Sequence, residues 1–202
     1  MESNFLTTAV SLFKYYKTLV EKAITQIDDS ALHWKQNEES NSIAIIMNHI
    51  SGNMLSRWTD FLESDGEKPW RQRDKEFEDI NDSRETIMIN WEKGWTTLFN
   101  AIMPLKEMQM SQIVYIRNEG HTVMEAIMRQ LAHYTNHCGQ IILLAKMLSD
   151  NWKSLTIPKN KSADFNQQLF KEAKTMKDFT IAASNFIDQN IETDQKTQDL
   201  EP

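Results

Sequence analysis

With 202 residues, 40 % of them apolar and 25 % charged, the chain has the make-up of one soluble globular domain with room for a tail. Its 22 basic and 29 acidic side chains give a net charge of −7, which argues against a basic face for nucleic acid. Only 5 Gly, 4 Pro and 1 Cys exclude a turn-rich all-β design and an internal disulfide framework, and fit long helices in a reducing compartment.

The opening MESNFLTTAVSLFKYYK has an acid at position 2 and no long apolar run, so it does not read as a signal peptide. No stretch approaches the roughly 18 apolar residues of a membrane span. A cytoplasmic protein without a membrane partner is expected. The first helix is predicted over about 4–27, where Phe5, Ala9, Leu12, Phe13, Tyr16, Leu19, Val20, Ala23 and Ile27 recur at three- and four-residue steps. Asp28-Asp29-Ser30 breaks it. A second helix begins near Ser40 to Ser42, where short polar side chains can cap it. Its stripe is Ile43, Ile46, Met47, Ile50, Met54, Trp58 and Phe61.

A polar loop follows from Ser64 to about residue 80. It is long for a bundle connection, and such loops are often functional or mobile. A third helix is expected to open at Asp82, with Glu85 at capping-box spacing. It buries Ile87, Trp91, Trp95, Leu98, Phe99 and Ile102 and stops at Pro104. The β-branched run between Met110 and Gly120, SQIVYIRNEG, predicts a short strand or hairpin. The fourth helix starts at the capping box Thr122–Glu125 and runs to Leu148.

Residues 1–150 thus form the bundle, and 151–202 an extension expected to pack on it. In that extension Trp152, Leu155, Ile157 and Pro158 read as an extended segment laid across the bundle. A short helix is predicted over 162–176, then an amphipathic stretch with Phe179, Ala183, Phe186, Ile187 and Ile191. About ten polar residues at the end should be loose.

Of the five histidines, His133 and His137 in LAHYTNHCGQI are the most informative. Residues four apart share a helix face, so two imidazoles there can reach one metal. Taken alone, such a pair is more often two hydrogen-bonded or surface histidines. The Glu of an HExxH protease is missing, so that chemistry is not supported. His49 lies in the second helix between Ile46 and Ile50, where it is either an interior histidine or a third ligand offered to a shared site. His33 and His121 sit near connections, with supporting or surface roles. Cys138 points about 100° from His137 and reads as a packed thiol.

At this point the sequence resembles the DinB-like superfamily: a histidine in the second helix, a long connection, a third helix, then HxxxH in the fourth. The strings NHISGNMLSRWTDFLESDGEKPWR, YIRNEGHTVMEAIMRQLAHYTNHCGQI and NWKSLTIPKNKSADFN are similar to one branch of uncharacterised bacterial members, over about residues 1–170. The resemblance implies an all-α, antiparallel four-helix bundle. It also implies one divalent metal ion, zinc or nickel, held by His49, His133 and His137 with one coordination position open. Thiol-dependent transferases and proposed metal-dependent hydrolases belong to that superfamily.

An open three-histidine site can activate either a water or a thiol, so ligand identity does not choose between hydrolysis and thiol transfer. The expected partners are a small-molecule substrate and a low-molecular-weight thiol. Substrate contacts are expected from Asn53 and Arg57, one and two turns beyond His49, and from Arg117, Arg129 and Tyr134. Each of these is otherwise a solvated edge or a surface ion-pair partner. The competing reading is a non-catalytic metal-binding or interaction protein, with the 11 methionines and the apolar tail stripe serving a dimer interface or an adaptable binding surface. A homodimer is expected, because bundles with broad apolar helix faces often pair and the resemblance points that way.

Overall fold

The structure is a computed structural model that describes residues 5–79, 81–172 and 174. The unit formed by residues 1–150 contains four long helices, α1 (Phe5–Ile24), α2 (Ile43–Trp58), α3 (Arg84–Ile102) and α4 (Val123–Leu148). A hairpin of β1 (Ile113–Ile116) and β2 (Glu119–Thr122) precedes α4. The chain is an all-α bundle: α2 packs on α3 and α4, and α1 packs on α4 and α3, so each helix has two helical neighbours.

The apolar stripes converge on one aromatic core. Phe13 of α1, Trp95 of α3 and Tyr134 of α4 meet with ring centroids 6.0–6.2 Å apart. Trp58 of α2 joins them by donating its indole N–H to the Tyr134 oxygen at 3.1 Å. The Tyr134 hydroxyl in turn donates to Asn53 Oδ1 at 2.9 Å. A buried Trp and Tyr need such partners for their polar ends. Here those partners tie α2 to α4 one turn from His49.

The helix starts follow local capping chemistry. Ser42 Oγ accepts from the Ile45 N–H. Thr122 and Glu125 form the reciprocal box, Thr122 Oγ1 accepting from the Glu125 N–H and the Glu125 carboxylate accepting from the Thr122 N–H. For α3 the cap is Ser83, one residue later than expected, its Oγ accepting from the Thr86 N–H at 3.2 Å. Asp82 serves another end: its carbonyl accepts from His33 Nε2 at 3.0 Å. α1 closes at Ile24 rather than residue 27, and Arg84 reaches back from α3 to donate to the carbonyls of Ile24 and Ile27 at 2.8 and 2.9 Å.

The loop after α2 is pinned to the hairpin. Arg117 and Asn118 both have positive φ, 54° and 65°, which makes a two-residue turn of the type that matches strand twist. Asp65 accepts from both turn N–H groups at 2.9 and 2.7 Å, and the Gly66 N–H donates to the Tyr115 carbonyl at 2.8 Å. This anchoring carries residues 65–79 back over α2. Within that stretch Arg73–Phe77 forms a short 3₁₀ turn that packs on α2.

In the second unit, from residue 151, α5 (Ser162–Phe170) is shorter than the predicted 162–176. The segment with Trp152, Leu155, Ile157 and Pro158 has no regular secondary structure. The amphipathic stretch over 179–191 and the polar end lie outside the described residues. Among the described residues, no helix is long and apolar enough to cross a membrane.

Candidate metal centre

His49 comes from the second turn of α2, and His133 and His137 from successive turns of α4. The helix period places 133 and 137 on one face, and the Trp58–Tyr134–Asn53 bonds hold that face against α2. The three rings turn their Nε2 atoms together. His133 Nε2 lies 3.4 Å from His49 Nε2 and 3.2 Å from His137 Nε2. One ligand atom from each residue falls within 4.8 Å of the others, so the three histidines could hold a metal ion.

The opposite nitrogens explain why the Nε2 atoms face inward. His49 Nδ1 donates to Glu76 Oε2 at 2.9 Å, and His137 Nδ1 donates to Gln140 Oε1 at 3.0 Å. His133 Nδ1 makes a longer contact, 3.4 Å, to Gln130 Oε1. A carboxylate only accepts, so Glu76 fixes the proton of His49 on Nδ1 and leaves the Nε2 lone pair toward the centre. Gln130 and Gln140 favour the same tautomer in the other two rings.

Three lone pairs pointed at one spot repel each other unless a proton or a cation lies between them. Burial, followed by the charges that His137, His49, Arg57 and Arg71 bear on it, pushes the His133 imidazole down to about 3. Burial also lowers His137. Protonation of these two rings is therefore disfavoured at neutral pH, which leaves their lone pairs available to a metal ion. The spacing fits that role: two nitrogens at roughly 2.0–2.1 Å from a tetrahedral zinc ion lie about 3.3 Å apart.

Glu76 is itself held. Burial acts to raise its carboxyl, but hydrogen bonds from Arg71 and His49 outweigh it and keep the group below the usual carboxylate range. Arg71 grips both oxygens, Nε to Oε1 and Nη2 to Oε2, each at 2.8 Å. The His49 ring stacks near Phe77, with centroids 4.6 Å apart. Gly52 makes this approach possible: a Cβ there would lie 2.5 Å from Glu76 Oε1. Sequence reasoning did not reach Glu76 or Arg71, which lie in the loop. The available signal was Gly52, a helix-interior glycine three residues after a histidine.

Beside the histidines opens a cavity of about 270 Å³. Its lining includes His49, His133, Gln130, Asn53 and the arginines Arg57, Arg71, Arg73, Arg117 and Arg129. The structure thus brings Asn53, Arg57, Arg117 and Arg129 to the same cavity as two of the histidines. Tyr134, expected to join them, is instead fully buried and reaches the cavity only through its bond to Asn53. His33 hydrogen-bonds Asp79 at 2.8 Å, and His121 Nε2 accepts from Arg129 at 3.1 Å. Cys138 is buried, its thiol pushed up to about 12 by burial, and it does not line the cavity.

No curated protein and no solved structure matches the chain. The family described as protein of unknown function (DUF1572) matches residues 1–161, and the chain belongs to that family.

Proposed function

We propose that this protein is a metal-dependent enzyme of the DinB-like type, acting on a small molecule. In this reading His49, His133 and His137 hold one divalent ion, zinc or nickel. The observation that carries it is the convergence of three Nε2 atoms whose rings are anchored from behind by Glu76, Gln130 and Gln140. When bound, such an ion supplies Lewis-acid chemistry that brings a neighbouring water or thiol toward ionisation at neutral pH.

The lining of the cavity supports a nucleophile that is not a side chain of the protein. Among the described residues it includes no hydroxyl, no thiol and no carboxylate side chain. In this reading the nucleophile arrives with the reactants, as water in a hydrolase or as a low-molecular-weight thiol in a transferase. Asn53, its amide oriented by Tyr134, is placed to hold a polar group of the substrate. Gln130 and Glu76 keep the imidazoles in one tautomer throughout.

Turnover by the zinc- or nickel-loaded protein should be assayed against a panel of electrophiles with low-molecular-weight thiols, and against esters and amides without them. Thiol-dependent product marks the transferase, and thiol-independent cleavage the hydrolase. Activity in either arm should vanish in His133→Ala. A fully loaded protein that turns over nothing in either arm would favour the non-catalytic reading.

A further inference from the structure

The chain contains 6 arginines and 16 lysines. Five of the arginines line the cavity beside the histidines, and among the described residues no lysine does. A merely solvated basic face would draw on both cations. Arginine is favoured where a planar oxyanion is gripped by forked N–H donors. The concentration is also set against an overall charge of −7.

The pairing within the cavity leaves positive charge over. Arg71 is engaged by Glu76 and Glu67, and Arg117 shares Glu67 at 3.3 Å. Arg57 is 5 % exposed, and its Nε and Nη1 have no acceptor among the described residues. A buried guanidinium with two unpaired N–H groups is costly, and an anion beside it in the cavity would offset its charge. The fold makes room for the guanidinium itself: at Gly66 a Cβ would lie 2.7 Å from Arg57 Nη1. Arg129 is held at the rim by His121, and Arg117 sits in a left-handed turn conformation that Asp65 supports.

We propose that this cluster is an anion subsite, taking a carboxylate or phosphoryl group of the small molecule that enters the cavity, with Arg57 and Arg129 as its principal donors. A volume of about 270 Å³ suits a compact metabolite rather than a polymer end. The anionic group anchored there leaves the rest of the molecule beside His49 and His133. Its role as a substrate subsite rests on the metal-centre reading; capture of the anion by the arginines does not.

The test is calorimetry on the full chain at low ionic strength, with inorganic phosphate, pyrophosphate and succinate as probes. Each is titrated into chelator-treated and zinc-loaded protein. The chelator-treated protein should bind at least one probe. Arg57→Gln and Arg129→Gln should each weaken that binding by about ten-fold or more. Tighter phosphate or pyrophosphate assigns a phosphoryl group, and tighter succinate a carboxylate. Should Arg57→Gln fail to fold, Arg129→Gln and Arg117→Gln, on more exposed side chains, carry the test. Binding of no probe, or binding unchanged in these variants, overturns the proposal. So does binding confined to zinc-loaded protein and indifferent to the arginines. Anion binding by a chain that takes up no metal would sink the metal centre and leave the arginine subsite standing.

Discussion

Replacing Gly52 by alanine should strengthen a helix and weaken the histidine site at once. Glycine inside α2 costs roughly 1 kcal/mol relative to alanine in helix propensity. The added Cβ, however, would sit 2.5 Å from Glu76 Oε1 and 2.8 Å from its Cδ. That carboxylate has little freedom, since Arg71 holds both oxygens and His49 one of them. It must move, and the charge-assisted bond to His49 is lost, which costs about 1.5–3 kcal/mol. The metal-free protein should therefore lose a net ~0.5–2 kcal/mol. Metal affinity should fall about 10–100-fold, the usual effect of removing the partner that orients a ligand histidine.

Gly139→Ala is the matched control. It lies in α4 between His137 and Gln140, where an added Cβ meets nothing within 4 Å. It should gain roughly 1 kcal/mol, a rise in Tm of about 2–4 °C, with metal affinity unchanged. Competition with a chromophoric chelator reads affinity, and thermal melting reads stability. If Gly52→Ala behaves like Gly139→Ala in both, the Glu76 carboxylate does not lie against α2 and the account of how His49 is oriented is wrong.

Further outcomes follow from the same geometry. His133 is held at about 3 and His137 below its ordinary value, whereas both titrate near 6.5 when unfolded. Below about pH 6.5 the unfolded chain therefore takes up protons that the folded chain refuses, so the stability of metal-free protein should be full above that value and decline on acidification. Glu76, held low, adds to the loss once pH falls through the carboxylate range. Denaturant midpoints between about pH 8 and pH 5 check this, and stability that is flat or rises on acidification would contradict it. Arg84→Ala removes the fork that joins α3 to the end of α1 and should cost about 1–3 kcal/mol, with Arg84→Lys a poor rescue, since one ammonium does not reproduce the planar fork to both carbonyls. Chemical denaturation of the three proteins would show it, and wild-type stability in Arg84→Ala would count against that contact.

The parts of this molecule that could be read from sequence are those with local causes. The Thr122–Glu125 box set the start of α4, Pro104 its stop signal after α3, and the i, i+4 spacing put His133 and His137 on one face. Where two local solutions compete, sequence alone misplaced the boundary. Asp82 and Ser83 are both good caps, and Ser83 is used because the Asp82 carbonyl is taken by His33. The loop partners were not legible for a different reason. Glu76 reaches His49 from 27 residues away in sequence, along a path set by the pinning of Asp65 to the hairpin turn. No periodicity encodes such a route. The gathering of the arginines is hidden for the same reason, since they come from α2, the loop, the hairpin turn and α4.

The most direct measurement is the metal content of the protein purified, stripped with chelator and titrated with zinc or nickel, beside His49→Ala and His133→Ala. The account predicts uptake of one ion per chain, a higher melting temperature on loading, and loss of both in each variant. A wild-type chain that takes up no ion, or variants that load as fully as it does, would contradict the proposal that three imidazoles from α2 and α4 form a metal centre.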